Sequence, residues 1–291
     1  MNLITTVEPP KIPITLSPGT DSIVMVGSCF ATEMAAKLVA AGFEVELNPT
    51  GIMYNPMSIA NCLDMCIDGR FVAGSEPVEI GGLWHSWHFH GSFSRPTADE
   101  CLQACAEGIR RGHEALSKAS CLMVTLGTSW VYELDGGMVV GNCHKAPAAR
   151  FARRRLTVDE ILVRWQPLLQ KLSTFNPQLS IVFTVSPIRH LADGAHQNQL
   201  SKATLLLAVD VLLGAAANGR GLPMYYFPAY ELLLDELRDY RFYADDLTHP
   251  SNLAVEVVWE RFADTFFTPQ TRNLCHLNAK QAKRDRHIPL H

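Results

Sequence analysis

The sequence predicts an α/β fold with a central parallel sheet covered by helices on both faces. Three observations carry this. Continuous apolar runs at residues 22–26 (SIVMV), 121–126 (CLMVTL) and 179–185 (LSIVFTV) read as strands buried on both faces, the pattern of a parallel sheet. Between them lie stretches of helix formers, such as ATEMAAKLVAAG at 31–42, and a helical period at 157–173 after a threonine cap. Strands and helices in alternation are what crossover-connected parallel strands require.

The elements follow in order. Residues 1–20, rich in Pro and Thr, read as an extended arm over the domain. The run at 22–26 ends at Gly27, and the helix after it closes at Gly42. A second strand covers 43–47, and NPTGIMYNP at 48–56 is a shaped loop leading to a helix that ends near Asp68. Residues 69–98 hold a hairpin with an aromatic and histidine cluster, and 99–119 are helical. Strands at 130–134 and 138–141 flank a turn at Asp135-Gly136-Gly137. A buried helix over 203–217, a short strand at 224–227 and helices over 229–238 and 251–267 complete the fold, with a polar tail frayed from Asn273. No repeat, linker or composition break divides the chain. The expected organisation is an arm over 1–20, one α/β domain over 21–270 and a polar tail over 271–291.

Composition narrows the function. The 291 residues are 47% hydrophobic, enough for a large core. A net charge of −4 lacks the broad basic field that nucleic acid or anionic membranes need, so neither is an expected partner. Arg153–Arg155 is a local exception, read as the solvated approach to a helix rather than an anion site. No signal peptide is expected from the opening residues, and the apolar stretch at 205–217 is broken by Asp210 and too short to span a bilayer. Eight scattered cysteines without a CxxC pair read as reduced thiols, hence a cytoplasmic location. Cys62/Cys66 and Cys101/Cys105, four apart, each share one helix face.

Ligands of open parallel sheets bind beyond the carboxyl ends of the strands, and the polar residues collect there. The first such end, Gly27-Ser28-Cys29-Phe30, turns tightly and delivers a hydroxyl and a thiol to a helix N-terminus, where the dipole favours negative charge. Ser28 also reads as a plain helix cap and Cys29 as a small buried residue. Near the far end, Asp246-x-x-His249 supplies a carboxylate that can orient an imidazole toward a nucleophile. The two segments together give nucleophile, acid and base in chain order.

The stretch VGSCFATEMAAKL at 26–38 resembles the opening of the GSCFA family, whose relatives are SGNH/GDSL hydrolases. NPTGIMYNP, GLWHSWHFH at 82–90, LGTSWVY at 126–132, NCHK at 142–145 and SPIRH at 186–190 resemble it too, as do DGAHQNQLSKATLLLA at 193–208 and DELRDYRFYADDLTHPS at 235–251. The resemblance implies a flavodoxin-like three-layer α/β/α sandwich. It also implies two departures: Cys29 stands where a GDSL enzyme keeps its serine, with Ser28 one residue earlier, and Ser129 replaces the oxyanion-binding Asn of Gly-x-Asn-Asp.

Two functions follow. The first is an esterase or acyltransferase acting on an O-acylated small molecule or glycan. Cys29, or else Ser28, attacks the acyl carbonyl, His249 takes the proton and Asp246 orients it. Gly51, Asn55, Gly127 and Ser129 are candidates around the oxyanion, and Asn48 could also supply an amide. His144 beside Lys145, and His190 beside Arg189, are candidate substrate contacts. The second is a non-catalytic protein holding a small ligand or sugar in the same cleft. No cofactor is implied. His85, His88 and His90 read as pocket lining rather than metal ligands, because no further ligand stands at a matching spacing. No oligomeric state follows from the pattern.

Overall fold

The computed structural model describes residues 5–134, 136–216 and 221–286. β1 (Ser22–Gly27) passes directly into α1 (Cys29–Ala40), and β2 (Glu44–Leu47) follows. α2 (Pro56–Asp68) starts on an Asn55 cap with proline at its first position and stops at Gly69, which adopts φ +64°. β3 (Val78–Ile80) and β4 (Leu83–His85) pair antiparallel ahead of the long α3 (Ala98–Lys118). β5 (Cys121–Leu126) returns to the main sheet. β6 (Trp130–Leu134), β7 (Met138–Val140) and β8 (Phe151–Arg155) then form an antiparallel flap in the order β7-β6-β8. α4 (Val158–Phe175) opens on a Thr157–Glu160 capping box. β9 (Ser180–Val185), α5 (Ala195–Ala216) and β10 (Met224–Tyr226) follow, and α6 (Ala229–Glu231), α7 (Asn252–Phe266) and α8 (Pro269–Arg286) close the described chain.

The main sheet runs β2-β1-β5-β9-β10, and each neighbouring pair is parallel. This is the 2-1-3-4-5 order of flavodoxin-like folds, as the resemblance implied. Side chains alternate between the faces of a strand, so β1 splits its apolar residues between two cores. Val24 and Val26 pack with Trp165 of α4 and Leu205 of α5, while Ile23 and Met25 pack with Leu38 of α1 and Phe262 of α7. The result is three layers.

Local corrections have clear causes. Residues 151–155 are a strand, β8, and not the approach to a helix: Arg153 and Arg154 pair across from Tyr132 and Val131 of β6. Helix α5 starts at Ala195, well before residue 203, because its first turns, AHQNQLSK, are almost wholly polar and show no apolar period. Residues 229–238 are a short α-turn followed by a π-helical stretch over Leu232–Glu236. The expected frayed end after Asn273 is helical through Arg286; Cys275 is buried, and Asn278 donates to the Ala41 carbonyl at 2.8 Å. Asp135 of the expected turn, Ala217 of the expected helix and residues 1–4 and 287–291 lie outside the described residues. All eight cysteines are free, and no helix among the described residues is long and apolar enough to cross a membrane.

Candidate active site

Gly27 makes the first turn possible. It adopts φ +137°, and a Cβ there would lie 2.1 Å from the Thr125 carbonyl oxygen of the neighbouring strand. Its N–H donates to Asn48 Oδ1 at 2.8 Å, which locks the turn to the loop after β2. Asn48 itself takes φ +48°, a conformation asparagine tolerates. The chain therefore leaves β1 at a fixed angle and enters α1 within one residue.

That geometry separates the two candidate nucleophiles. Ser28 is 1% exposed, its Oγ has no hydrogen-bond partner, and it makes no side-chain cap on α1. Cys29, the first residue of the helix, is half-buried and faces the cleft. Its Sγ lies 3.8 Å from His249 Nε2. The other ring nitrogen, Nδ1, meets Asp246 Oδ2 at 2.5 Å. Cys29, His249 and Asp246 thus form one hydrogen-bonded chain, and Ser28 is outside it.

The Asp246–His249 segment is tightly built. Asp246 Oδ1 accepts from the backbone N–H groups of Thr248 and His249, both at 2.9 Å, and Leu247 between them takes φ +58°. Those N–H groups, His249's first, and then the imidazole hold the Asp246 carboxyl well below the usual carboxylate range. The Thr248 carbonyl accepts from Arg189 N–H at 3.1 Å, which fastens the segment to the loop after β9. His249 is therefore positioned by backbone, at two points.

The thiol departs from one expectation. A cysteine at a helix N-terminus should ionise easily, yet burial pushes the Cys29 thiol up, offset by the N–H groups of Cys29 and Phe30 directed at Sγ. Burial therefore holds the thiol toward its protonated form.

The cleft these residues line measures about 730 Å³, within the range of small-ligand sites. One wall carries Trp130, Tyr132 and Phe151. Arg153 lies 4.4 Å over the Trp130 ring and 5.3 Å over Tyr132, and is held there by a bidentate pair with Asp193. Tyr54, Asn55, Thr128, Asn142, Arg189 and His190 complete much of the rest.

The other candidates disperse. The N–H groups of Gly127 and Thr128 donate to the Tyr54 carbonyl at 2.8 and 2.9 Å, so that turn is already satisfied. Ser129 is fully buried, with both N and Oγ bonded to Ser201 Oγ. Asn55 spends its amide on Ser58, capping α2. Gly51 donates to the Asn48 carbonyl and lines a separate cavity with His90 and Arg95. His144, pushed down to about 4 by burial, bonds the Ser86 carbonyl away from the cleft. His190 does line the cleft, and burial with Lys202 and His249 nearby lowers it to about 4. His85 and His88 bond carbonyls of Ile80 and Ala73, and His90 bonds Ser92, so the trio supports the β4 region rather than lining this cleft. Among the described residues no group of three His, Cys, Asp or Glu is disposed to hold a metal.

Two features escaped the sequence reading. One is Tyr54, whose carbonyl accepts the N–H groups of both Gly127 and Thr128. The other is Lys202, 1% exposed, whose Nζ donates to the carbonyls of Gly127 at 2.6 Å and Ser186 at 2.7 Å. A single lysine opening the apolar run ATLLLA was the available signal.

The profile of the GSCFA family matches residues 22–262. Among solved structures, the chain is similar to a carbohydrate esterase family 3 enzyme from Talaromyces cellulolyticus, at 10% identity, covering 88% of this chain and 98% of that one with a TM-score of 0.37. It is also similar to a family two carbohydrate esterase from Clostridium thermocellum solved with cellohexaose, at 11% identity, 86% and 64% coverage and a TM-score of 0.41. A family 2 carbohydrate esterase with a carbohydrate binding domain, from Corynascus thermopiles (Myceliophthora fergusii), gives 11% identity, 87% and 67% coverage and a TM-score of 0.43. A search of curated proteins found no match.

Proposed function

The chain belongs to the GSCFA family, and we propose that it is an acyl-transfer enzyme, an esterase or acyltransferase that works through the Cys29 thiol. The observation that carries the reading is the chain of contacts from Cys29 Sγ through His249 to Asp246 at the mouth of a cleft. A thiol, a base and an orienting carboxylate in that order are what nucleophilic acyl transfer requires.

The steps balance as follows. His249 Nε2 takes the thiol proton as sulfur attacks the acyl carbon, and the carbonyl π electrons move onto oxygen. Collapse of the adduct breaks the ester C–O bond, and the departing alkoxide takes the proton from His249. A thioester on Cys29 remains. Water or a second alcohol then gives its proton to His249 and attacks the thioester; the C–S bond breaks, and sulfur recovers the proton. Asp246 keeps the ring oriented and stabilises the imidazolium throughout.

The aromatic wall of Trp130, Tyr132 and Phe151 suits the apolar face of a sugar ring, so an O-acylated glycan is the substrate class favoured. Eight free thiols fit a reducing compartment, such as the cytoplasm. The test is turnover of p-nitrophenyl acetate by the full chain, with mass analysis of the Cys29 peptide after rapid acid quench. Turnover with an acetyl group on that peptide is expected, and both are lost in Cys29→Ala. Glycan binding without ester turnover would instead favour the ligand-binding reading.

A further inference from the structure

The cleft is unevenly charged. Its lining includes two arginines, Arg153 and Arg189, against one carboxylate, Asp193. Asp193 is spent on Arg153, which it holds by both oxygens against the faces of Trp130 and Tyr132. Asp246, beyond His249, is spent on the imidazole and two backbone N–H groups. Arg189 is left over. Among the described residues no Asp or Glu forms an ion pair with it, and its Nε is buried with no hydrogen-bond partner. In a chain of net charge −4, this cleft carries a positive charge without a mate.

Its position is as telling as its charge. Arg189 lies on the loop after β9, and its backbone N–H donates to the Thr248 carbonyl at 3.1 Å, one residue before His249. The arginine is thereby tied to the segment that carries His249, and both side chains line one cleft with Cys29. Two neighbours share its lack of partners: His190 Nε2 and Trp130 Nε1 are buried and unbonded, and both residues line the same space. Buried polar atoms are ordinarily satisfied, so three nitrogens left unbonded around one cavity point to a ligand that brings oxygen acceptors.

A neutral sugar closing the cleft would take the Arg189 guanidinium out of water with no counter-charge, at a steep cost in desolvation. A carboxylate or phosphate meets the planar fork in a charge-assisted contact instead. Arg153 needs no such partner, because Asp193 supplies one and leaves the guanidinium plane to lie over the aromatic wall. We propose, on the acyl-transfer reading of this cleft, that Arg189 is a specificity-determining residue that grips an anionic group of the substrate. The glycan is then an acidic one, bearing a carboxylate or a phosphate near its ester.

The test is calorimetric titration of the full chain with methyl glucuronide, glucose 6-phosphate and methyl glucoside, run beside p-nitrophenyl acetate turnover. The wild type is expected to bind one of the two acids at least about tenfold more tightly than the neutral glycoside, and the tighter acid names the anion. Arg189→Gln should bring acid and neutral sugar within about twofold of each other, and Arg189→Lys, which keeps the charge without the fork, should fall between. A loosened loop weakens all three sugars together and keeps their ratio; loss of the charge removes the ratio. Equal affinities in the wild type, no binding of either acid, or a preference that survives Arg189→Gln overturns the proposal and leaves the ester turnover standing. Acid preference without ester turnover overturns the acyl-transfer reading instead, and the acid is then a bound ligand and not a substrate. Should neither variant fold, phenylglyoxal labelling of the wild type decides. The tighter acid should shield Arg189, read by the mass of its peptide, and undiminished labelling refutes the contact.

Discussion

Two turns leave neighbouring strands at the same end of the sheet, and they meet opposite fates. Gly27-Ser28-Cys29 follows β1, and Gly127-Thr128-Ser129 follows β5, with Gly27 in register beside Thr125. Each begins with glycine and continues with small hydroxyl or thiol residues. In the first, the backbone N–H groups of Cys29 and Phe30 point at a sulfur that faces the cleft. In the second, both leading N–H groups are taken by the Tyr54 carbonyl, the serine by Ser201 and the glycine carbonyl by Lys202. The leading N–H groups of the first turn are spent as well, Gly27 on Asn48 and Ser28 on Thr125; what sets it apart is that its next two N–H groups meet a side chain that faces the cleft. The second turn is a brace for the first.

The sharpest way to break this contrast is at His249, the imidazole that meets the first turn and is proposed as the base. His249→Ala should lower kcat/KM for p-nitrophenyl acetate by about 10³-fold or more, since nucleophile and base act as a unit. Thr128→Ala, which alters a cleft residue on the second turn, should stay within about threefold, because its hydroxyl serves Trp130 and Ser201 rather than the reacting atoms. Comparable losses from the two would erase the distinction.

The glycines distinguish the turns by stability. Gly27→Ala places Cβ 2.1 Å from a backbone oxygen at φ +137°, and neither the strand nor the dihedral can yield cheaply. A loss of about 4 kcal/mol or more in urea unfolding is expected, or failure to fold. At Gly127 the added Cβ would be 3.1 Å from the Tyr54 carbonyl oxygen, with no positive φ, so Gly127→Ala should cost about 1–2 kcal/mol. Equal costs would mean that the second turn is as constrained as the first.

A third prediction concerns two buried histidines, one in the cleft and one outside it. His190 and His144 are each pushed down to about 4 by burial, below the value of about 6.5 in an unfolded chain. The unfolded chain therefore takes up protons that the folded chain refuses. Stability from this source is complete above about pH 6.5 and is lost as pH falls toward 4, by about 2–4 kcal/mol in total at pH 5. Urea midpoints at neutral and mildly acidic pH measure it. His190→Asn should flatten the acid slope by its share, and a slope unchanged in that variant would show that the cleft histidine accepts a proton without cost.

Much of this was legible in the sequence because periodicity and strand-end chemistry are local. The runs at 22–26, 121–126 and 179–185 announce buried parallel strands, and Asp246-x-x-His249 carries its own geometry in a three-residue spacing. The choice of Cys29 over Ser28 rests on which residue the helix turns outward, and the register argument favoured the cysteine. What stayed hidden depends on contacts between distant segments. No local pattern shows that the Tyr54 carbonyl covers the Gly127 turn, that Ser201 satisfies Ser129, or that Asn55 caps a helix instead of reaching an oxyanion. β8 hid for a related reason: three successive arginines lack the alternation of a half-buried strand, and Arg153 is settled by Trp130, Tyr132 and Asp193 rather than by water.

The smallest effect tests the brace itself. The sequence resemblance implies that Ser129 stands in the place of an oxyanion-binding Asn, and a functional role there predicts a large catalytic loss on truncation, about 10²–10³-fold for one missing donor. The geometry predicts otherwise. Ser129 is fully buried, and its Oγ bonds Ser201 Oγ at 3.1 Å. Ser129→Ala removes only that bond. Ser201 keeps its contacts with Ser129 N at 2.8 Å and Thr128 Oγ1 at 3.0 Å, so no polar group is stranded. The expected cost is about 0.5–1 kcal/mol of stability with ester turnover unchanged within about twofold. Ser129→Asn, which restores the GDSL residue, should be worse than alanine for the same reason. A larger amide has to enter a fully buried site, and overpacking of that kind costs about 1–3 kcal/mol. A gain of activity in Ser129→Asn would show that the turn can still open toward the cleft, and the brace would have to be redrawn as a dormant part of the site.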